Sequence, residues 1–211
     1  MRVLLPLLVL LISVVVHEVA HAWQARREGD PTAERLGRIT LNPLRHIDPF
    51  GSVALPLMLF WLGSPFMFGW AKPVPVNPIN YRRYRAGDIR VSLAGIVSNL
   101  GLALLFTLGT ALLVGLTRLG TGSLAARTLF YGIEINLVLA FFNLIPIPPL
   151  DGSHVMAQLL PSPLAEKYER FGRFGFVVVL ALMMIPGALD TLLLPVDVLL
   201  EAAYRFISLW T

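Results

Sequence analysis

The stretch VLLPLLVLLISVVVHEVAHAWQA, residues 3–25, decides the fold of this chain. At about 1.5 Å of rise per residue, a helix of this length can cross the roughly 30 Å of hydrocarbon in a bilayer. The stretch ends in HEVAHAWQA, which Arg26 and Arg27 follow, and not in a small-residue cleavage site, so we interpret it as a retained span and not as a secretory signal.

Three further stretches have the same character. Residues 89–116, 124–147 and 172–190 are apolar and long enough to cross a bilayer. Of the 211 residues, 56% are hydrophobic and only 14% are charged, and the mean hydropathy is +0.72. The sequence therefore predicts an all-α polytopic membrane protein with about four to six transmembrane helices. We expect one domain over residues 1–211, with a core at 1–160 and C-terminal helices at 161–211.

The basic residues lie beside the apolar spans, and their placement predicts the topology. Clusters follow the first span, precede the second and precede the last, and only two basic residues lie between the second and third spans. By the positive-inside rule, the clustered loops face the cytoplasm and the N-terminus faces outside. The net charge of +4 indicates contact with the lipid bilayer and no nucleic-acid partner, because the charges do not line one polar helix or sheet. The clusters are Arg26, Arg27, Arg35, Arg38 and Arg45; Lys72, Arg82, Arg83, Arg85 and Arg90; and Lys167, Arg170 and Arg173; the other two residues are Arg118 and Arg127.

Two apolar stretches do not fit a simple span. Residues 50–70 have cytoplasmic charge at both ends and are broken by proline and glycine, so we expect a re-entrant element between the first and second core spans. Residues 191–210 carry a polar stripe at helical spacing, which suits an interfacial or peripheral helix. The stripe consists of Asp197, Glu201 and Arg205.

The motif HEVAH at residues 17–21 carries the clearest chemical signal. Its i,i+4 spacing puts His17 and His21 on one face of a helix, where they can grip a single metal ion. Glu18 can then act as general base on a metal-bound water. The alternative is a pair of surface histidines, but two histidines and a glutamate within an apolar span are costly to insert and indicate function. The chain has no cysteine, so any zinc site must use histidine and carboxylate.

A catalytic zinc site needs a third protein ligand. We predict Asp151, because the third span returns to the depth of the histidines and the prolines of NLIPIPPLDG then bend the chain. Gly152 would permit the turn that follows. The alternative is a loop aspartate that caps the next helix. The other candidates are Asp48, Asp88, Glu134, Glu28, Asp30 and Glu34.

Five motifs in order resemble the site-2 protease family, which is of the peptidase M50 type. They are HEVAHA at 17–22, LNPLRHIDPFG at 41–51, GWAKPVPVNP at 69–78, LAGIVSNL at 93–100 and FNLIPIPPLDG at 142–152. The resemblance covers residues 10–160 and is closest to the compact form without a PDZ or CBS domain. Ile96 departs from the pattern, since many relatives have proline there, and we expect a local change of helix shape without loss of activity.

The resemblance implies an intramembrane zinc metalloprotease with one zinc ion per chain, held by His17, His21 and Asp151. Its substrates would be membrane-anchored proteins, and its active site would face the cytoplasmic side of the cell membrane. The family also implies that Asn143 donates to the oxyanion; the alternative is a helix-packing amide. Gly95 and Asn99 would support the site, although their small-residue stripe also suits close helix packing.

The motif at residues 69–78 favours extended backbone, because three prolines and alternating valines disfavour a helix. A helical substrate must unwind before its carbonyls can react, and pairing with an exposed strand edge would hold it open. We therefore predict substrate binding by this segment, with a plain cytoplasmic loop as the alternative. The predicted residues are Lys72, Pro73, Val74, Pro75, Val76 and Asn77.

We also consider three other functions and compare each with the sequence. A metal transporter would place ligands at several depths, whereas here they cluster at one. A catalytically inactive homologue that only binds transmembrane segments would not need Glu18. A protease with a soluble catalytic domain would need a longer polar stretch than this chain contains. We interpret His46 and Asp48 as structural residues of a loop and His154 as an interfacial side chain, and we assign Glu134 no role.

Overall fold

The computed structural model describes residues 4–62, 71–117 and 120–210, and the regular secondary structure in these residues is helical. No β-strand occurs in those residues. The prediction of an all-α protein is therefore confirmed. The α-helices are α1 (Leu4–Glu28), α2 (Thr32–Arg35), α3 (Leu55–Trp61), α4 (Tyr84–Leu116), α5 (Leu124–Leu144), α6 (Asp151–Leu159), α7 (Ser162–Phe171), α8 (Gly175–Met184), α9 (Ala188–Leu192) and α10 (Leu194–Ser208).

Three helices, α1, α4 and α5, form the centre of the molecule and pack against one another. Within the described residues, they are the helices that are long and apolar enough to cross a membrane. This confirms a polytopic membrane protein, whereas the expected count of about four to six spans is not confirmed. α10 lies against α4 and α5, where Val196, Ala203 and Ile207 join a buried apolar cluster with residues of both helices.

The predicted span at residues 172–190 is not one continuous helix, which corrects the prediction. α8 ends at Met184, and its ten residues reach only about 15 Å, half the thickness of the hydrocarbon. Ile185 caps the helix, Pro186 cannot continue it, and Gly187 adopts the left-handed conformation with φ of 77°. The hydropathy of the stretch is high, but its helix is interrupted at residues 185–187.

The predicted re-entrant segment is described only in its first part. A π-helical turn at Pro49–Ala54 leads into α3. Asp48 begins the turn, because its carboxylate accepts hydrogen bonds from the backbone N–H groups of Phe50 and Gly51. The second part, residues 63–70, lies outside the described residues, so the return of the chain stays a prediction.

Candidate metal centre

Three potential metal ligands converge from two helices that are far apart in sequence. The Nε2 atoms of His17 and His21, one turn apart on α1, are 2.9 Å from each other. Oδ2 of Asp151, the first residue of α6, lies 3.1 Å from the first of these atoms and 3.3 Å from the second. These three residues are the group of possible metal ligands found in the described part of the chain. The sequence-based prediction therefore named residues that the fold brings together.

The chemistry of these donors fits a zinc ion. Within the described residues, no hydrogen-bond donor reaches the buried Oδ2 atom of Asp151. When each imidazole carries its hydrogen on Nδ1, the two Nε2 atoms and the carboxylate oxygen each present a lone pair to the shared centre, where a cation would stabilise them. Two histidines and one carboxylate, with a position left for water, are a known donor set of catalytic zinc.

Asp151 reaches the histidines because the chain bends sharply after α5. Leu150 is the N-cap of α6, so the structure does not support the alternative that Asp151 caps the helix. Gly152 is needed for a different reason from the one predicted: its φ is not positive. Instead, a Cβ atom there would lie 2.1 Å from the carbonyl oxygen of Leu144. The close approach of the end of α5 to the start of α6 therefore requires glycine.

The backbone of α4 lies directly against both imidazoles. A Cβ atom added to Gly95 would be 2.5 Å from Cε1 of His17 and 2.5 Å from Nε2 of His21. Gly95 therefore makes room for the imidazoles. The small residue at this position of the predicted packing stripe is needed because a larger one would clash with both histidines. Asn99, one turn further along α4, is fully buried and lies beside His17.

Each imidazole is held at its other nitrogen. Nδ1 of His17 lies 2.5 Å from Oδ1 of Asn99, and Nδ1 of His21 lies 2.7 Å from the backbone carbonyl of Val91. Both partners are acceptors, so each Nδ1 carries the hydrogen and each Nε2 is directed at the shared centre. The Val91 contact could not be predicted from the residue types, because every residue has a backbone carbonyl.

Glu18 forms a hydrogen bond with a neighbouring segment of the chain. Its Oε2 atom accepts a 2.7 Å hydrogen bond from the backbone N–H of Val74. Val74 is buried and packs with Ala22 of α1 and Ala33 of α2. An extended part of the chain therefore lies directly beside the residue that the motif predicts to be the general base.

Residues 71–77, here called the strap, have no helical structure, as predicted, but they are not paired as a β-strand either. Residues 69 and 70 of the predicted segment lie outside the described residues. Backbone contacts anchor the strap at several points. The N–H of Lys72 donates to the carbonyl of His46 (2.9 Å), Nη2 of Arg38 donates to the carbonyl of Lys72 (2.8 Å), and the N–H of Asn77 donates to Oδ2 of Asp30 (2.7 Å).

Asp30 fastens the far end of the strap. Its fully buried carboxylate accepts bonds from the backbone N–H and hydroxyl of Thr32, the N–H of Asn77 and the side-chain amide of Asn80. Burial raises the pKa of this carboxyl, but the donors of Thr32, Asn77 and Asn80 outweigh burial, so the pKa lies below its usual value of 3.8. Asp30 is therefore a structural anion and not a metal ligand.

Asn143, the predicted oxyanion donor, lies at the end of α5, just before the bend. Its Nδ2 atom donates a 2.9 Å hydrogen bond to the carbonyl of Leu139, one turn earlier in the same helix. This is the bond expected of a helix-packing amide, and it uses one of the two N–H groups. The predicted role stays a prediction.

The remaining candidate ligands lie outside the three-residue group. Asp48 caps the π-helical turn, Glu28 pairs with Arg90, and Glu34 pairs with Arg26. Nε2 of Gln158 donates to Asp88, from which His154 is 3.9 Å away. His46 is buried, with Nε2 placed 2.9 Å from the carbonyl of Thr40. Glu134 is exposed on α5.

Apolar helices that surround two histidines and a carboxylate define a membrane-embedded metalloprotease site. The chain matches Peptidase family M50 over residues 6–186, and it belongs to that family. The sequence-based resemblance is confirmed, and the protein is an intramembrane zinc metalloprotease that acts on peptide bonds.

Similar proteins carry provisional zinc metalloprotease names. YwhC of Bacillus subtilis (strain 168) is 41% identical over 191 residues, which cover 87% of this chain and 82% of YwhC. Rip2 of Mycolicibacterium smegmatis is 32% identical over 181 residues, which cover 84% of this chain and 65% of Rip2. MJ0611 of Methanocaldococcus jannaschii is 39% identical over 67 residues, or 32% of each chain. No solved structure matches the chain.

Proposed function

We propose that this chain is a site-2-type protease that cuts membrane-anchored proteins within the bilayer or at its edge. In this proposal, His17, His21 and Asp151 hold one zinc ion, and Glu18 is the general base. The observation that carries it is the convergence of two Nε2 atoms and one carboxylate oxygen, from helices more than a hundred residues apart, within 4.8 Å of one another. The other histidines and acids of the described residues form no second group of this kind, so a transporter path gains no support.

The residues around this centre have distinct tasks. Bound zinc supplies a water of lowered pKa and polarises the scissile carbonyl. Glu18 takes a proton from the attacking water and passes it to the leaving amine. Its place on α1, between the two histidine ligands in sequence, supports this role. Asn143 is the proposed oxyanion donor. Its position at the bend that delivers Asp151 supports this role, and among the described residues no hydrogen bond is assigned to its second N–H group.

The strap is the proposed substrate-binding segment, from Lys72 to Asn77. Pro73 and Pro75 have no N–H group, and the N–H groups of Lys72, Val74 and Asn77 already bond within the protein. Among the described residues, no hydrogen bond is assigned to the N–H of Val76 or to the carbonyls of residues 74–76. We therefore expect an unwound substrate to pair with the strap through these groups, beside Glu18.

The location and the extent of the domain complete the proposal. The basic loops that follow α1 and precede α4 support insertion into the cell membrane with the zinc site near the cytoplasmic side. A single domain over residues 1–211 is supported by α10, which packs against the core helices α4 and α5. The catalytic core is residues 1–160, since all the proposed catalytic residues lie there.

Substitution of Glu18 by Gln tests the proposed function. The wild type and the Glu18→Gln variant are purified in detergent, their bound zinc is measured, and both are incubated with a helical membrane-anchored substrate. We expect about one zinc per chain in both proteins and cleavage by the wild type alone, because the amide keeps the shape but cannot accept the proton. Equal cleavage by the variant would overturn the role of Glu18.

A further inference from the structure

A buried row of polar side chains connects α5 to the zinc site. Nδ2 of Asn136 donates to the carbonyl of Gly132 (2.8 Å) and to the hydroxyl of Ser13 (2.8 Å). Oδ1 of Asn136 accepts from Nδ2 of Asn99 (2.9 Å), and Oδ1 of Asn99 faces Nδ1 of His17 (2.5 Å). Ser13, Asn99 and Asn136 are fully buried, and His17 is 7% exposed. We call Asn136, Asn99 and His17 the polar relay.

The amides of Asn136 and Asn99 satisfy the hydrogen bonds of the polar relay in one orientation each. A backbone carbonyl such as that of Gly132 can only accept, so the amide of Asn136 must turn its nitrogen towards that carbonyl. Oδ1 of Asn136 then faces Asn99 and requires a donor, which fixes the nitrogen of that amide as well. Oδ1 of Asn99 is therefore the atom that faces His17, and Nδ1 of the imidazole must carry a hydrogen.

Both histidines carry their hydrogen on Nδ1, but the acceptors that hold this hydrogen differ. His21 donates directly to the backbone carbonyl of Val91, which cannot turn around. His17 faces a side-chain amide, which presents an acceptor or a donor according to how it is turned. The side-chain amide of Asn99 therefore has two possible orientations, and its hydrogen bond to Asn136 selects one of them.

We propose that Asn136 is a positioning residue for the zinc site and acts through Asn99. It keeps the hydrogen of His17 on Nδ1, so that Nε2 faces the metal position before an ion arrives. This inference rests on the proposed function, in which His17 is a zinc ligand. Without Oδ1 of Asn136, the amide of Asn99 is free to rotate and present its N–H₂ group to His17. That state favours a hydrogen on Nε2, where the metal should bind.

The hydrogen on Nδ1 can be observed in the metal-free protein. Histidine labelled with ¹⁵N is introduced, and the resonance of His17 is assigned from its loss in His17→Gln. We expect a slowly exchanging Nδ1–H of His17 in the wild type and its loss or rapid exchange in Asn136→Leu. Nδ1–H of His21 should persist in both, because its partner is Val91. A wild type without a protected Nδ1–H at His17 would overturn the proposal, even if the variant does not fold.

Zinc affinity is the second readout, measured by competition with a chelator. We expect Asn136→Leu to bind zinc about 10- to 100-fold more weakly, as is typical when a partner behind a ligand is removed. Thr110→Val is the matched control, since Thr110 is equally buried in α4 but, among the described residues, its hydroxyl bonds to the carbonyl of Phe106 in its own helix and not to the polar relay. Its zinc affinity should match that of the wild type. An unchanged affinity in Asn136→Leu would refute the positioning role, whereas a wild type that binds no zinc would refute the proposed function itself.

Discussion

The backbone N–H of Val74 donates a 2.7 Å hydrogen bond to Oε2 of Glu18. Because prolines occupy both neighbouring positions, this N–H is the one donor that residues 73–75 possess. This hydrogen bond joins the strap to the proposed general base, on the helix that also carries both histidines. In the proposed function, substrate binding and proton transfer would therefore be coupled through the backbone N–H of Val74.

A variant that lacks the backbone N–H of Val74 should catalyse more slowly but should still bind zinc. Val74→Pro deletes the N–H, and we expect kcat to fall about 10- to 100-fold, since a hydrogen bond to a charged group contributes about 1.5–3 kcal/mol. The control is Val74→Ala, which reduces the buried side chain but keeps the N–H. Steady-state kinetics on a membrane-anchored substrate compare the two. If Val74→Pro is no slower than Val74→Ala, the bond does not position Glu18.

A methyl group at Gly95 should disrupt the metal centre. A Cβ atom there would lie 2.5 Å from an imidazole atom of each histidine, so the imidazoles or α4 would have to shift. We expect Gly95→Ala to weaken zinc binding by more than about 100-fold, because both ligands are displaced and not only a residue behind them.

The matched control for this substitution is Gly101→Ala in the same helix. A Cβ atom at Gly101 has no neighbour within 4 Å, so this variant should keep its zinc. Zinc content and chelator competition measure both proteins. Full zinc affinity in Gly95→Ala would show that the imidazoles do not lie against α4.

Acid should release the far end of the strap. The folded-state pKa of Asp30 lies below its ordinary value of 3.8, so its ionised form contributes stability that is present above that value and is lost as pH falls through the lower folded-state pKa. Hydrogen exchange at the N–H of Asn77 reports this bond. We expect protection from neutral pH down to about 3.8 and loss of protection in stronger acid.

The variant Asp30→Asn separates this effect from other carboxyl groups nearby, such as Glu28. An amide lacks the charge that holds three donor residues together, so Asn77 should exchange faster at every pH and show no further loss in acid. Protection that is equal in the two proteins would mean that Asp30 does not fasten the strap.

The sequence predicted the parts of the site that follow from side-chain type and spacing. His17, Glu18 and His21 share a helix turn, and the depth of the spans selected Asp151 among several acids. Contacts to backbone groups, such as Val74 with Glu18, have no signature in the residue types. The hydrogen bond between Asn99 and Asn136 also has no signature in the sequence, because the two residues lie in different helices.

The errors in the predicted fold also have physical causes. Hydropathy alone counted residues 172–190 as a span, although Pro186 and Gly187 interrupt the helix. Gly152 was expected to permit a turn, but the tight contact with Leu144 is what requires it. Local composition predicts which segments are apolar, whereas close approaches between segments depend on the tertiary structure.

Zinc content after substitution of Asp151 tests the proposed metal centre most directly. Wild type, Asp151→Ala and Asp48→Ala are purified in detergent, and their zinc is measured by elemental analysis. Asp48 is the control, because its carboxylate caps a turn at Phe50 and Gly51. We expect about one zinc per chain in the wild type and in Asp48→Ala, and almost none in Asp151→Ala. Zinc retained in full by Asp151→Ala would contradict the assignment of the third ligand.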